Sequence, residues 1–306
     1  MTETPNPPTD DQTIDEVLAD EPQNGPSISE DGERASALDP RRANMLAARR
    51  RPTVVVLAGA VGSGKTSIYA ALYERLGKGP FAGWMFAGSQ TIPGLEQRCH
   101  WWRIESERNV PRMEHTRSES LPWLHIRIRD VERKLSAKDL LMGDFDGEVF
   151  QDVLHGRAKA EDLKYLRRAD HVGVVIDGAK VADPTGRANE RQQTQYLLDG
   201  LLAPGALASP KALSLIISKM DLVEDLKASE RSDVEVWLED LNRFANARTG
   251  LSVPLMRLAV RSESSRFPLG HGLETFLEVL SLRPALKIGQ EAEVYQSVTS
   301  IGRFSA

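Results

Sequence analysis

The chain has one cysteine, Cys99, among 306 residues. A single thiol excludes an intrachain disulfide and any zinc site built on cysteines, and it suits a reducing compartment. Six histidines (His100, His115, His125, His155, His171 and His271) show no metal-ligand spacing with one another. No apolar run approaches a membrane span, and no charged-then-apolar leader opens the chain, so a soluble cytoplasmic protein is expected. There is no internal repeat. Basic side chains are nearly missing from residues 1–40, where Arg34 stands against eleven acidic groups. The remainder then carries 33 acidic and 38 basic residues. The overall charge of −5 therefore belongs to the leading segment and says little about the partners of the folded part.

Residues 1–40 are rich in Pro, Asp, Glu, Ser and Asn and lack a sustained apolar period. They cannot bury enough surface to offset chain entropy, so a disordered acidic tail, dispensable for nucleotide binding, is expected. Within it, "TIDEVLAD" (13–20) is the one stretch able to become a short helix on a partner. The strongly basic "RRANMLAARRR" (41–51) reads as a helical lead-in to the first strand, with contact to nucleic acid or an acidic surface as the alternative. From 52 to 285 short β-branched runs alternate with helical periods. Strands are expected at 53–59, 122–130, 138–147, 169–178 and 253–260, a strand followed by a loop over 211–221, and helices at 65–77, 192–203, 232–250 and 271–284. This order predicts an α/β fold: a mostly parallel sheet with helices on both faces, plus one antiparallel edge strand from the 122–147 hairpin. Residues 78–120 read as an insertion and 286–306 as a polar C-terminal tail.

One stretch carries chemistry. "LAGAVGSGKTS" (57–67) fits G-x-x-x-x-G-K-[ST] from Gly59 to Thr66, between a buried strand and an amphipathic helix. Backbone N–H groups must converge on phosphates, and glycines let the chain turn that tightly. The following helix adds its positive end. Gly59, Gly62, Ser63, Gly64, Lys65, Thr66 and Ser67 are the candidate nucleotide ligands, with Lys65 on the β- and γ-phosphates and the Thr66 hydroxyl on Mg²⁺.

Two later segments bear on the base and the metal. In "GDFDGE", Asp144 and Gly147 form D-x-x-G, a carboxylate for Mg²⁺ and an N–H for a γ-phosphate. In "SKMD", Ser218, Lys219 and Asp221 follow a buried strand. Asp221 can accept from guanine N1 and N2, which adenine does not supply, and the Lys219 stem can lie over the ring. Together these segments resemble the translation-factor-like and Ras-like (TRAFAC) class of P-loop GTPases. "SGKTSIYAALYERL", "FAGSQTIPGLEQR", "GDFDGEVFQ" and "RADHVGVVIDG" look more closely like the bacterial double-GTPase group. The resemblance implies a guanine-nucleotide switch using GTP/GDP and Mg²⁺, with a protein effector or regulator, in multi-gene systems linked to phage conflict or signalling.

Departures from the pattern set further expectations. Ser218 stands where Asn or Thr is usual, so weaker affinity is expected. Val61 stands where switch GTPases often have glycine, and it can crowd an incoming arginine. Glu148 stands where relatives carry glutamine; it is the candidate for orienting water beside Lys65, and its charge implies slow hydrolysis. Thr116 is the candidate switch threonine and metal ligand, with Thr91 as runner-up. Arg112 and Arg117 are either cis arginine fingers or solvated surface. Trp84, Trp101, Trp102 and Trp123 are read as packing the insertion, with a nucleotide-dependent partner surface as the alternative. Two other functions stay open: a P-loop ATPase or kinase, whose lid could only be "RANERQQTQ", and a non-hydrolysing nucleotide-dependent adaptor.

Overall fold

The computed structural model describes residues 37–104, 122–132, 137–155, 165–204, 206–207, 213–262 and 266–281. The expected tails, apart from residues 37–40, lie outside these residues, as do Thr116, Arg112 and Arg117.

The first element is α1 (Pro40–Arg50). Asp39 caps it by accepting from the Arg42 N–H, Pro40 sits in its first turn, and Arg51 ends it in the left-handed region. Ala43 and Leu46 are buried, so the basic lead-in is a packed helix that exposes Arg41, Arg49 and Arg50. The residues just ahead of it are packed as well. Leu38 is fully buried and exchanges both backbone hydrogen bonds with Trp123.

The strands are β1 (Thr53–Ala58), β2 (Trp84–Gly88), β3 (Trp123–Asp130), β4 (Ala137–Gly143), β5 (His171–Asp177), β6 (Leu213–Ser218) and β7 (Leu255–Arg257). They form one sheet in the order β2-β3-β4-β1-β5-β6-β7. Pairings among β4, β1, β5, β6 and β7 are parallel, whereas β2–β3 and β3–β4 are antiparallel. The sheet is thus mostly parallel, as expected. Its reversed strand, β3, lies one place in from the edge, because the unanticipated β2 pairs outside it.

The helices are α2 (Lys65–Gly77), α3 (Ile92–Ile104), α4 (Gln151–Leu154), α5 (Gly178–Ala182), α6 (Arg187–Leu201), α7 (Met220–Glu224), α8 (Ala228–Thr249) and α9 (Leu273–Ser281). Strand alternation sends neighbours to opposite faces. Val56 and Ala58 of β1 join the core under α1, α6 and α8, while Val55 and Leu57 join the core under α2, α3 and α9. The central strands are buried on both faces, which is why they read as continuous apolar runs. Trp84 and Trp123 are core residues of opposite layers. No helix among the described residues is long and apolar enough to cross a membrane.

Candidate functional site

β1 ends at Ala58, and the chain turns through Gly59–Gly64 before α2 starts at Lys65. Gly62 and Gly64 have φ of 77° and 91°, in the left-handed region that favours glycine. Gly59 is required for another reason: a Cβ there would fall 2.5 Å from the Val175 carbonyl oxygen of β5. The loop therefore lies flat on the carboxyl ends of β1 and β5, where ligands of open α/β sheets bind. Lys65 Nζ folds back over it and donates to the Gly59 carbonyl at 2.9 Å and the Ala60 carbonyl at 2.8 Å. Burial pulls the Lys65 ammonium down from its ordinary range to about 8, partly offset by Asp146 and then Asp144. Thr66 and Ser67 follow in the first turn of α2, both half-buried.

The Thr66 hydroxyl donates to Asp144 Oδ1 at 2.8 Å. Asp144 stands just beyond β4, with its N–H on the Pro122 carbonyl. A hydroxyl and a carboxylate side by side are hard oxygen donors, the set that suits Mg²⁺. When bound, such a cation would offset the negative charge of phosphate oxygens. Among the described residues no group of three or more His, Cys, Asp or Glu offers a different metal cluster. Three residues on, Gly147 is pressed against the phosphate loop. A Cβ on it would fall 2.3 Å from the Val61 nitrogen and 2.7 Å from the Ala60 carbonyl carbon. The D-x-x-G turn and the loop are thus in direct backbone contact, and Val61 is half-buried beside it. Glu148 is exposed, and its N–H donates to Asp146 Oδ1 at 3.3 Å.

The third segment leaves the end of β6. Ser218 Oγ donates to the Ser63 carbonyl at 2.7 Å and lies 3.1 Å from the Ile176 carbonyl. Lys219 adopts a left-handed backbone, φ 50°, and its Nζ reaches the Gly62 carbonyl at 2.8 Å and Asp177 Oδ1 at 2.9 Å. Serine, the departure from the usual Asn or Thr, thus bridges this segment to the phosphate loop. Asp221 lies in the first turn of α7 and is largely buried.

The structure brings together Gly59, Gly62, Ser63, Gly64, Lys65, Thr66, Asp144, Gly147, Ser218 and Lys219 through these contacts. It gives Thr91 other work. That residue is fully buried, accepts from the His125 N–H at 3.0 Å, and donates its own N–H to Ser89 Oγ, pinning the start of α3 to β3. The lid candidate is likewise part of the scaffold. Arg187 opens α6 and holds the Val181 carbonyl at 2.7 Å, while Thr194, Leu197 and Leu198 bury the same helix on the sheet.

Three residues escaped the motif reading. Asp177, at the end of β5, is the carboxylate partner of Lys219. Asp146, the second acid of "DFDG", is the group that most strongly favours the charged form of Lys65. Arg98 of α3 makes an ion pair with Asp144 Oδ2 at 2.5 Å. For Asp146 the doubled acid was visible in the motif. Arg98 and Asp177 lie within the family stretches "FAGSQTIPGLEQR" and "RADHVGVVIDG", but nothing local gives either one a role at the site.

Fold, loop and the two strand-end segments together define a P-loop GTPase-type domain. The family described as Double-GTPase 2 matches residues 53–280, and the chain belongs to it. Membership implies a guanine-nucleotide site. No curated protein matches the chain.

Proposed function

We propose that the protein is a molecular switch that binds GTP and GDP with Mg²⁺, hydrolyses GTP slowly, and regulates a protein partner in a cytoplasmic, bacterial multi-gene system for conflict or signalling. The observation that carries this reading is the pair of bonds from Ser218 and Lys219 to the phosphate-loop carbonyls of Ser63 and Gly62. They couple the base-reading segment to the phosphate loop, as a site that must recognise both ends of one nucleotide requires. Lys65 would neutralise phosphate charge, Thr66 and Asp144 would hold the cation, the Gly147 N–H would meet the γ-phosphate, and Thr116 remains the proposed switch threonine. Slow turnover follows from charge. Glu148 and Asp146 both bring negative groups towards a phosphate that repels them.

Base selection is the test. Guanine offers two N–H donors to Asp221. A site built to bond polar groups rejects an analogue lacking them, here by on the order of 10²-fold given serine at 218. Competitive displacement of a fluorescent GTP analogue by GTP, ATP and XTP should show that preference, and Asp221→Asn should shift it towards xanthine. Equal competition by ATP and GTP in the wild type would return the chain to the ATPase reading. Single-turnover hydrolysis separates the switch from the non-hydrolysing adaptor.

A further inference from the structure

Arg98 supplies a cation at the candidate metal site from an element that the nucleotide motifs do not include. Its side chain is nine-tenths buried. Nε bonds Asp144 Oδ2 at 2.5 Å, and Nη1 donates to the Gly94 carbonyl one turn back at 2.9 Å. The other oxygen of Asp144 holds Thr66. Both oxygens of Asp144, the carboxylate of the candidate cation pair, are therefore engaged by the protein itself.

The helix that carries Arg98 is firmly held. Leu95 and Cys99 of α3 are fully buried in the core that α2 contributes to. Cys99 Sγ reaches the Ala70 carbonyl, Tyr73 of α2 donates to Glu96 at 2.6 Å, and Thr91 anchors the start of α3 to β3. The pair is therefore built into a packed interface and is not a surface accident.

We infer that Arg98 is a positioning residue that sets the divalent-cation requirement of the nucleotide site, by competing for Asp144 and coupling cation binding to α3. The inference rests on the reading of this site as one for Mg²⁺ and guanine nucleotide. Two effects oppose each other. The guanidinium orients Asp144, which favours a cation by one hydrogen bond. It also places a positive charge within reach of the same ligand, which disfavours a doubly charged ion more strongly at the low effective dielectric of a buried site. Repulsion wins, so the cation binds only at the expense of the Arg98–Asp144 pair. The loosened pair frees one of the ties that hold α3.

The test is binding of a fluorescent GDP analogue to the full chain across a Mg²⁺ titration, in wild type, Arg98→Gln and Arg98→Lys. Arg98→Gln should lower the half-saturating Mg²⁺ concentration on the order of tenfold. Arg98→Lys, which keeps the positive charge, should stay near wild type. An unchanged or increased Mg²⁺ requirement in Arg98→Gln overturns the inference while leaving the nucleotide reading intact. A wild type whose GDP binding ignores Mg²⁺ overturns the metal reading and the role of Arg98 with it. A second readout needs no variant. Hydrogen exchange in wild-type peptides covering residues 92–100 should quicken when Mg²⁺ is added to the GDP complex, and unchanged exchange there rejects the coupling.

Discussion

The phosphate loop and the stretch that follows α2 lie side by side, yet they were encoded in different ways. From Gly59 to Thr66 each residue type has a local reason. Glycines sit where φ is positive or where β5 leaves no room for a Cβ, and a lysine and a threonine stand at the start of a helix. From Lys78 to Ile104 the chain builds β2 and α3 with little local signal. β2 is five residues long and ends at Gly88, with φ 123°, where its register with β3 shifts. α3 opens with Ile-Pro-Gly, which by itself reads as a turn, although proline is well tolerated in a first helical turn. The loop is specified by what each residue can do alone. The neighbouring stretch is specified by what it packs on.

The largest expected effect strikes the loop. Lys65→Ala removes the buried cation proposed to serve the phosphates, so nucleotide affinity should fall by roughly 2–5 kcal/mol with little change in the packing of α3. Calorimetry showing unchanged GTP and ATP binding would end the phosphate-loop assignment.

The matching change in the neighbouring stretch is Leu95→Ala. Leu95 is fully buried, and its loss should cost about 2–5 kcal/mol of stability in urea unfolding. A cost below about 1 kcal/mol would mean that α3 is a loosely docked appendage, not a stretch specified by its packing.

The smallest effect is in pH. Lys65 has its folded-state pKa lowered from 10.5 to about 8 by burial. A lowered lysine pKa penalises the folded state below that value, and the penalty is relieved as pH rises from about 8 towards 10.5. With Lys65 in its proposed role, nucleotide binding has the opposite sign, because the ammonium is the form that would hold the phosphate. Affinity should therefore weaken as pH rises above about 8, by up to about tenfold per pH unit. Lys65→Ala should be flat over the same range, and calorimetry from pH 7 to pH 9 compares the two. A wild-type affinity that tracks the variant would remove Lys65 from the phosphates.

Much of the fold was legible because its periods are strong. β1, β5 and β6 are buried on both faces, and continuous apolar runs report that directly. α2 and α8 show helical spacing with stops close to where the helices end. Within the site, the loop, Asp144, Gly147, Ser218 and Lys219 were readable as motifs. Sequence carries no sign that the hydroxyl of Thr91, the runner-up switch threonine, accepts the His125 N–H. Residues 1–40 were read as one tail, yet Leu38 is buried against β3, because a lone leucine becomes structural only when a strand offers it a partner.

The sequence by itself determined that a glycine-rich turn with Lys65 and Thr66 joins a buried strand to a helix, and that two further motifs end later strands. Those are local facts, set by which φ/ψ regions glycine can enter, by β-branched runs and by helical spacing. Tertiary structure alone decided that Ser218 and Lys219 would close on the phosphate loop and that Gly147 would press on Val61. It also decided that Arg98 would share Asp144 with Thr66. Each of these contacts joins residues far apart in the chain. Parallel pairing of β4, β1, β5 and β6 carries their carboxyl ends to one edge, and packing of α3 on α2 brings Arg98 there, so the charges meet only once the sheet and its helices have formed.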